Sequence, residues 1–200
     1  MDDNKRFWDR TARFYAGIQE KSNRRLYDQM AEDTIPYLKD RPRVLELACG
    51  SGQLTFPLCD LAETWEATDF SENMIAQAKK HPCSAHFSVQ DATSLPYETN
   101  SFDVVLMGNA LHILPEPQKA LAEIHRVLRP GGMFLAPTFV YEGKFNRLRM
   151  GLTELVGFKT FHKWTSPSLC LYVEDHGFQK IHCHLIPGDP LPVAFAVFKK

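Results

Sequence analysis

The chain has 200 residues, 44% hydrophobic and 24% charged, the make-up of one ordinary globular domain and not of a disordered or fibrous polypeptide. Lys and Arg number 23 against 24 Asp and Glu, a formal charge of −1, so there is no overall basic field to gather nucleic acid. No apolar run approaches the ~20 residues that span a bilayer. The polar start from Met1 to Arg6 carries no apolar signal core, and five scattered cysteines without a C-x-x-C pair suit a reducing cytoplasm.

The first forty residues read as an amphipathic helical cap, with Phe7, Trp8, Phe14, Tyr15, Ile18, Leu26 and Met30 spaced among charges and a break near Gly17. A strand follows over 43–48, a helix over 53–61 and a second strand over 64–70. Ser71 is placed to cap the next helix, which ends before His81-Pro82. A third strand spans 85–90, and a continuous apolar run over 102–107 predicts a strand covered on both faces. Pro117 opens a helix to Leu128, Pro130-Gly131-Gly132 stops it, and a fifth strand runs over 133–140. This alternation predicts a parallel sheet with right-handed crossovers. Residues 141–164 form an insertion of helical character. Ser166 and Pro167 then start a helix that Gly177 closes. Strands over 178–186 and 193–198, joined by a tight Pro187-Gly188-Asp189-Pro190 turn, predict a terminal antiparallel hairpin.

The most informative stretch is Val44-Leu45-Glu46-Leu47-Ala48-Cys49-Gly50-Ser51-Gly52-Gln53-Leu54-Thr55. It sets a bare small-residue loop between a strand and a helix, where open α/β sheets bind their ligands. The register Gly50-x-Gly52-x-x-Thr55 lacks the third glycine of a dinucleotide-binding fingerprint. The loop resembles motif I of the class I S-adenosylmethionine-dependent methyltransferases, an acidic residue followed by Gly-x-Gly-x-Gly. Ala48 stands where that family usually has its first glycine; alanine suits the position at negative φ.

Three further segments carry the resemblance. Asp69 ends the second strand 17 positions after Gly52, where the family's carboxylate accepts hydrogen bonds from ribose hydroxyls. Asp91-Ala92, ahead of Leu95-Pro96-Tyr97, is similar to the segment that reads the adenine amino group and ring nitrogen. Leu128-Arg129-Pro130-Gly131-Gly132 resembles the family's turn before strand five and is assigned no ligand contact. The resemblance implies a single-domain, seven-stranded, mostly parallel Rossmann-like α/β sheet with helices on both faces and the terminal hairpin. It makes Glu46, Ala48, Gly50, Gly52, Asp69, Phe70, Met74, Asp91, Ala92, Asn109 and Tyr15 the candidate cofactor-binding residues. Phe70 and Met74 flank the purine or pack in the core; Tyr15 and Trp8 close over the cofactor or anchor the cap.

The implied reaction is an in-line methyl transfer to O, N or C of a small, partly apolar acceptor, leaving S-adenosylhomocysteine. Orientation of the acceptor supplies most of the catalysis, and a general base is needed only where a proton must leave. His112, just after the fourth strand, is the candidate base, against a reading as a histidine packed at a helix start. The Asn/Asp-Pro-Pro-aromatic pattern of enzymes acting on exocyclic base nitrogens does not occur after that strand. Lys144, Arg147 and Arg149 either meet an anionic acceptor or form a solvated face. His182 and His184 share one strand face without a third ligand, so no metal is expected. An NAD(P)-dependent oxidoreductase and a non-catalytic S-adenosylmethionine-binding regulator stay open as alternatives. The partner expected is a small molecule, with neither nucleic acid nor membrane insertion.

Overall fold

A computed structural model describes residues 23–143 and 160–200. The expectations that fall on Trp8, Tyr15, Lys144, Arg147 and Arg149 lie outside the described residues. Helix α1 (Arg24–Thr34) buries Leu26, Met30, Ala31 and Thr34 along one stripe. Strand β1 (Arg43–Leu47) leads through the glycine loop into the short helix α2 (Thr55–Leu58), followed by β2 (Thr64–Asp69). Helix α3 (Glu72–Ala78) begins under its Ser71 cap, whose side-chain oxygen accepts the Met74 N–H at 3.2 Å. Strands β3 (His86–Val89) and β4 (Phe102–Met107), helix α4 (Pro117–Val127), β5 (Leu128–Leu135) and β6 (Thr138–Phe139) continue the chain. Helix α5 (Ser166–Glu174) and strands β7 (Gln179–Ile186) and β8 (Val193–Lys199) end it.

The sheet is ordered β3-β2-β1-β4-β5-β8, with β6 on the β5 side of β8 and β7 on its other side. The pairs among β1 to β5 are all parallel, whereas β8 runs antiparallel to β5, β6 and β7. The expected fifth strand is therefore two pieces: Ala136-Pro137 interrupts it, and β6 resumes pairing with β8 at Thr138↔Ala194. The hairpin does not simply extend the sheet. Its second strand inserts beside β5 and leaves β7 at the edge.

Period-two patterning sorts the core into two layers. Leu45, Leu47, Val105, Met107, Ala194, Ala196 and Phe198 face α4 and α5. Val44, Val104, Leu106, Val193, Phe195 and Val197 face α1, α2 and α3. One helix start differs from expectation. Thr165, not Ser166, caps α5 in a reciprocal box: its hydroxyl accepts the Ser168 N–H at 3.4 Å and its own N–H donates to Ser168 Oγ at 2.9 Å.

Candidate active site

The sheet's carboxyl edge carries the cleft. Parallel strands β1, β2, β3 and β4 end side by side there, so their following loops form one wall. Ala48, Gly50, Asp69, Phe70, Met74, Asp91, Ala92 and Asn109 all border it, as does Glu46 from within β1.

The loop is shaped by three left-handed residues at alternate positions. Ala48 has φ +55°, Gly50 +57° and Gly52 +95°. Ala48 thus adopts the left-handed conformation that alanine disfavours, and not the negative φ to which alanine is suited. Gly52, expected to touch cofactor, does not border the cleft. Its φ favours glycine, and a Cβ there would sit 2.5 Å from Phe56 Cζ and displace that ring.

Asp69 closes the loop onto the neighbouring strand. Its Oδ2 accepts the Gly50 N–H at 2.9 Å and its Oδ1 accepts the Ser71 N–H at 2.8 Å. The Gln90 N–H donates to the Asp69 carbonyl at 3.1 Å, keeping the ends of β2 and β3 together. Asp91 therefore lies on the adjacent strand end. Its Oδ1 takes both the Thr93 N–H at 2.9 Å and the Thr93 hydroxyl at 2.7 Å, a turn that gathers its local bonds on one oxygen.

Glu46 is 2% exposed. Its Oε2 accepts from Thr55 Oγ1 at 2.6 Å and from Trp65 Nε1 at 2.8 Å. Burial first, and then the nearby Asp69 carboxylate, push its pKa up to about 7 against the pull of those two bonds. Asn109 sits at φ +51°, its N–H held by the Pro137 carbonyl at 2.7 Å. Its Nδ2 reaches Met30 Sδ of α1 at 3.8 Å, while Oδ1 is buried without a protein partner. A buried acceptor beside a cleft is suited to a ligand donor.

His112 is placed differently from the expectation of a base. It is 1% exposed, does not border the cleft, and sets its ring edge-on to Phe139 at 5.7 Å. Burial, with His162 nearby, lowers its pKa to about 3. Beyond His112 the residues that reach the cleft are Ile113, Leu114, Pro115 and Glu116, because the short 3-10 turn over Leu111–Ile113 sends Leu111 and His112 into the core. Tyr27 of α1 and Gln53 also line the cleft and were not anticipated. The apolar run Leu111, Ile113, Leu114 was the available signal, but without the turn's phase it could not say which side chains face out.

Residues 45–136 match the methyltransferase domain family. That segment, which holds the glycine loop, Asp69, Asp91 and Asn109, is similar to a methyltransferase domain. The chain is 40% identical over 114 residues to an uncharacterised chloroplastic methyltransferase of Arabidopsis thaliana, 52% of this chain and 32% of that protein. It is 40% identical over 97 residues to demethylmenaquinone methyltransferase of Renibacterium salmoninarum, 48% of this chain and 41% of that one. The matched stretches thus span less than half the length of these relatives. In fold, the chain resembles Burkholderia thailandensis 1,6-didemethyltoxoflavin-N1-methyltransferase, a structure with bound 1,6-didemethyltoxoflavin and S-adenosylhomocysteine. The TM-score is 0.79 at 17% identity, over 99% of this chain and 87% of that one.

Among the described residues, no helix is long and apolar enough to cross a membrane. No group of three or more His, Cys, Asp or Glu among them is placed to hold a metal ion.

Proposed function

We propose that the chain transfers a methyl group from S-adenosylmethionine to a small, partly apolar acceptor. The observation that carries this reading is the convergence of Asp69 and Asp91 on one cleft with the left-handed 48–52 loop. Asp69, oriented by two backbone N–H groups, would hold the ribose hydroxyls; Asp91 and the Ala92 N–H would hold the adenine edge. Phe70 and Met74 would flank the purine. Asn109 Oδ1, a buried acceptor without a protein partner, would receive a donor from the methionine portion. Tyr15, in the amino-terminal cap, is proposed to close over the same ligand.

When bound, S-adenosylmethionine supplies an activated sulfonium methyl group. The chain's own task is to orient the acceptor and exclude water. Tyr27, Ile113, Leu114 and Pro115 give an apolar wall suited to a partly apolar acceptor, and the demethylmenaquinone methyltransferase relative supports that class. His112 is kept out of proton transfer in this reading, because its ring is buried away from the cleft. No part of the wall is assigned to nucleic acid, and the site of action is proposed to be cytoplasmic.

The test is a label-transfer assay with methyl-labelled S-adenosylmethionine and a panel of quinols, phenols and heteroaromatic amines. Label appearing in an organic-extractable product supports the reading. Tight binding of S-adenosylhomocysteine with no methyl release across the panel would make the protein a binder and not an enzyme.

A further inference from the structure

The edge strand β7 and helix α1 are joined by a chain of polar side chains that do not border the cleft. His182 Nε2 lies 2.9 Å from His184 Nδ1, and His184 Nε2 lies 2.9 Å from Asp33 Oδ2. The second Asp33 oxygen accepts the Gln29 side-chain N–H at 3.0 Å, so both carboxylate oxygens are engaged. Period two puts the two histidines on one strand face, and β8 backs His184 with the Phe195 ring at 5.5 Å. The Asp33 side chain is 21% exposed and that of His184 38%, more sheltered than an ordinary surface ion pair.

Helix α1 is also a wall of the cleft. Tyr27 borders it, and the fully buried Met30 accepts the Asn109 side-chain N–H on its sulfur at 3.8 Å. Asp33 lies about one turn beyond Met30. The turn after β7 reaches the start of the same helix: a Cβ on Gly188 would sit 3.5 Å from Leu26 Cδ2. We propose that His184 is a positioning residue that acts through Asp33 to seat the α1 wall, and that His182 makes this seat respond to protons. Its effect on ligand affinity rests on the methyltransferase reading of the cleft; the seat itself does not.

Two imidazole nitrogens in hydrogen-bond contact share one hydrogen. In the neutral pair, His184 donates its Nε2–H to Asp33 and accepts the His182 Nε2–H at Nδ1. One added proton makes His184 an imidazolium that donates at both nitrogens, and its bond to Asp33 becomes charge-assisted. A second proton removes the lone pair that accepts between the rings and sets two like charges at ring centroids 5.0 Å apart. The first proton therefore tightens the seat and the second loosens it. Around the pair, α1 presents Asp33, and the turn after it presents Tyr37, whose phenol is kept neutral by burial and then by the Asp33 charge. β7 carries Lys180 and the turn beyond it Asp189, while β8 presents the apolar Phe195 ring. A phenol, an ammonium and an exposed carboxylate hold their charge from about pH 5 to 8, which leaves the imidazoles to titrate there.

The test follows backbone hydrogen exchange of α1 in the full chain from about pH 5 to 8, corrected for the intrinsic rate, with α4 as internal reference. Protection of α1 should pass through a maximum near the ordinary imidazole range, about pH 6.5, and fall roughly tenfold by about pH 5. His182→Gln should keep the rise and lose the fall at low pH, and His184→Gln should be flat. In calorimetric titrations of S-adenosylhomocysteine, the affinity of the parent relative to His184→Gln should follow α1 protection across the same pH values. The proposal is overturned if α1 runs parallel to α4 in the parent, or if the parent and His184→Gln give the same profile. The parent's own profile decides even if a variant fails to fold. Should the parent bind no S-adenosylhomocysteine, the reading of the cleft falls, and the exchange profile still decides the seat.

Discussion

The Asp69 carboxylate accepts the Gly50 N–H at 2.9 Å, tying the end of β2 to the loop that follows β1. One side chain therefore shapes the loop and borders the cleft. Asp69→Ala strands that N–H and the Ser71 N–H together. A loss of folding stability of about 1–3 kcal/mol is expected, measured by urea denaturation without ligand. Unchanged stability would mean that the loop holds its shape without the aspartate.

Ala48 at φ +55° stores backbone strain that glycine would not. Ala48→Gly should stabilise the fold by about 1 kcal/mol, readable as a higher urea midpoint at constant slope. A lower midpoint would show that the alanine methyl makes packing contacts worth more than the strain it costs.

Two buried groups make opposite contributions to stability as pH changes. Glu46, raised from 4.5 to about 7, keeps its proton in the folded chain after the unfolded chain has lost it, so its contribution falls as pH rises through that window. His112, lowered from 6.5 to about 3, stays neutral in the folded chain while the unfolded chain takes up a proton. Its contribution therefore rises with pH over that range. Between pH 4.5 and 6.5 the two slopes, each about 1.4 kcal/mol per pH unit, oppose each other. Glu46→Gln should unmask the rising slope, and His112→Asn the falling one. Denaturation at a series of pH values checks this; parallel profiles for both variants and the parent would contradict it.

Arg126 fastens the loop that leads from Asp91 to β4. Its guanidinium donates to the Leu95 carbonyl at 3.0 Å, the Tyr97 carbonyl at 2.6 Å and both Glu123 oxygens at 2.8 Å. Glu123 in turn accepts the Leu95 N–H at 2.7 Å. Arg126→Ala should cost about 2 kcal/mol, and Arg126→Lys should recover little, since an ammonium cannot reproduce the planar fork. Full recovery by lysine, seen in thermal melts, would reduce the contact to simple charge.

The parts of the site that were legible in sequence are those fixed by local order. Glu46, the small-residue loop and Asp69 follow strand, turn, helix and strand within 24 residues, and the apolar runs around them set each strand's end. What was not legible depends on phase or on distant packing. The sign of φ at Ala48 is set by how Cys49 pairs with Thr68 and how Gly50 meets Asp69. The burial of His112 follows from one 3-10 turn that exchanges it for Ile113 and Leu114. The glycine at 52 looks out of the cleft toward Phe56, a side chain one turn later that the loop motif does not reveal. The insertion of β8 beside β5 is decided by tertiary packing that no short motif encodes.

Calorimetric titration of S-adenosylhomocysteine into the full chain and its Asp69→Ala and Asp91→Ala variants tests the site most directly. The account predicts a saturable one-site isotherm for the parent and affinities lower by roughly 5- to 150-fold in each variant, the equivalent of about 1–3 kcal/mol. Equal affinities in all three proteins, or binding of NADPH in place of S-adenosylhomocysteine, would contradict it.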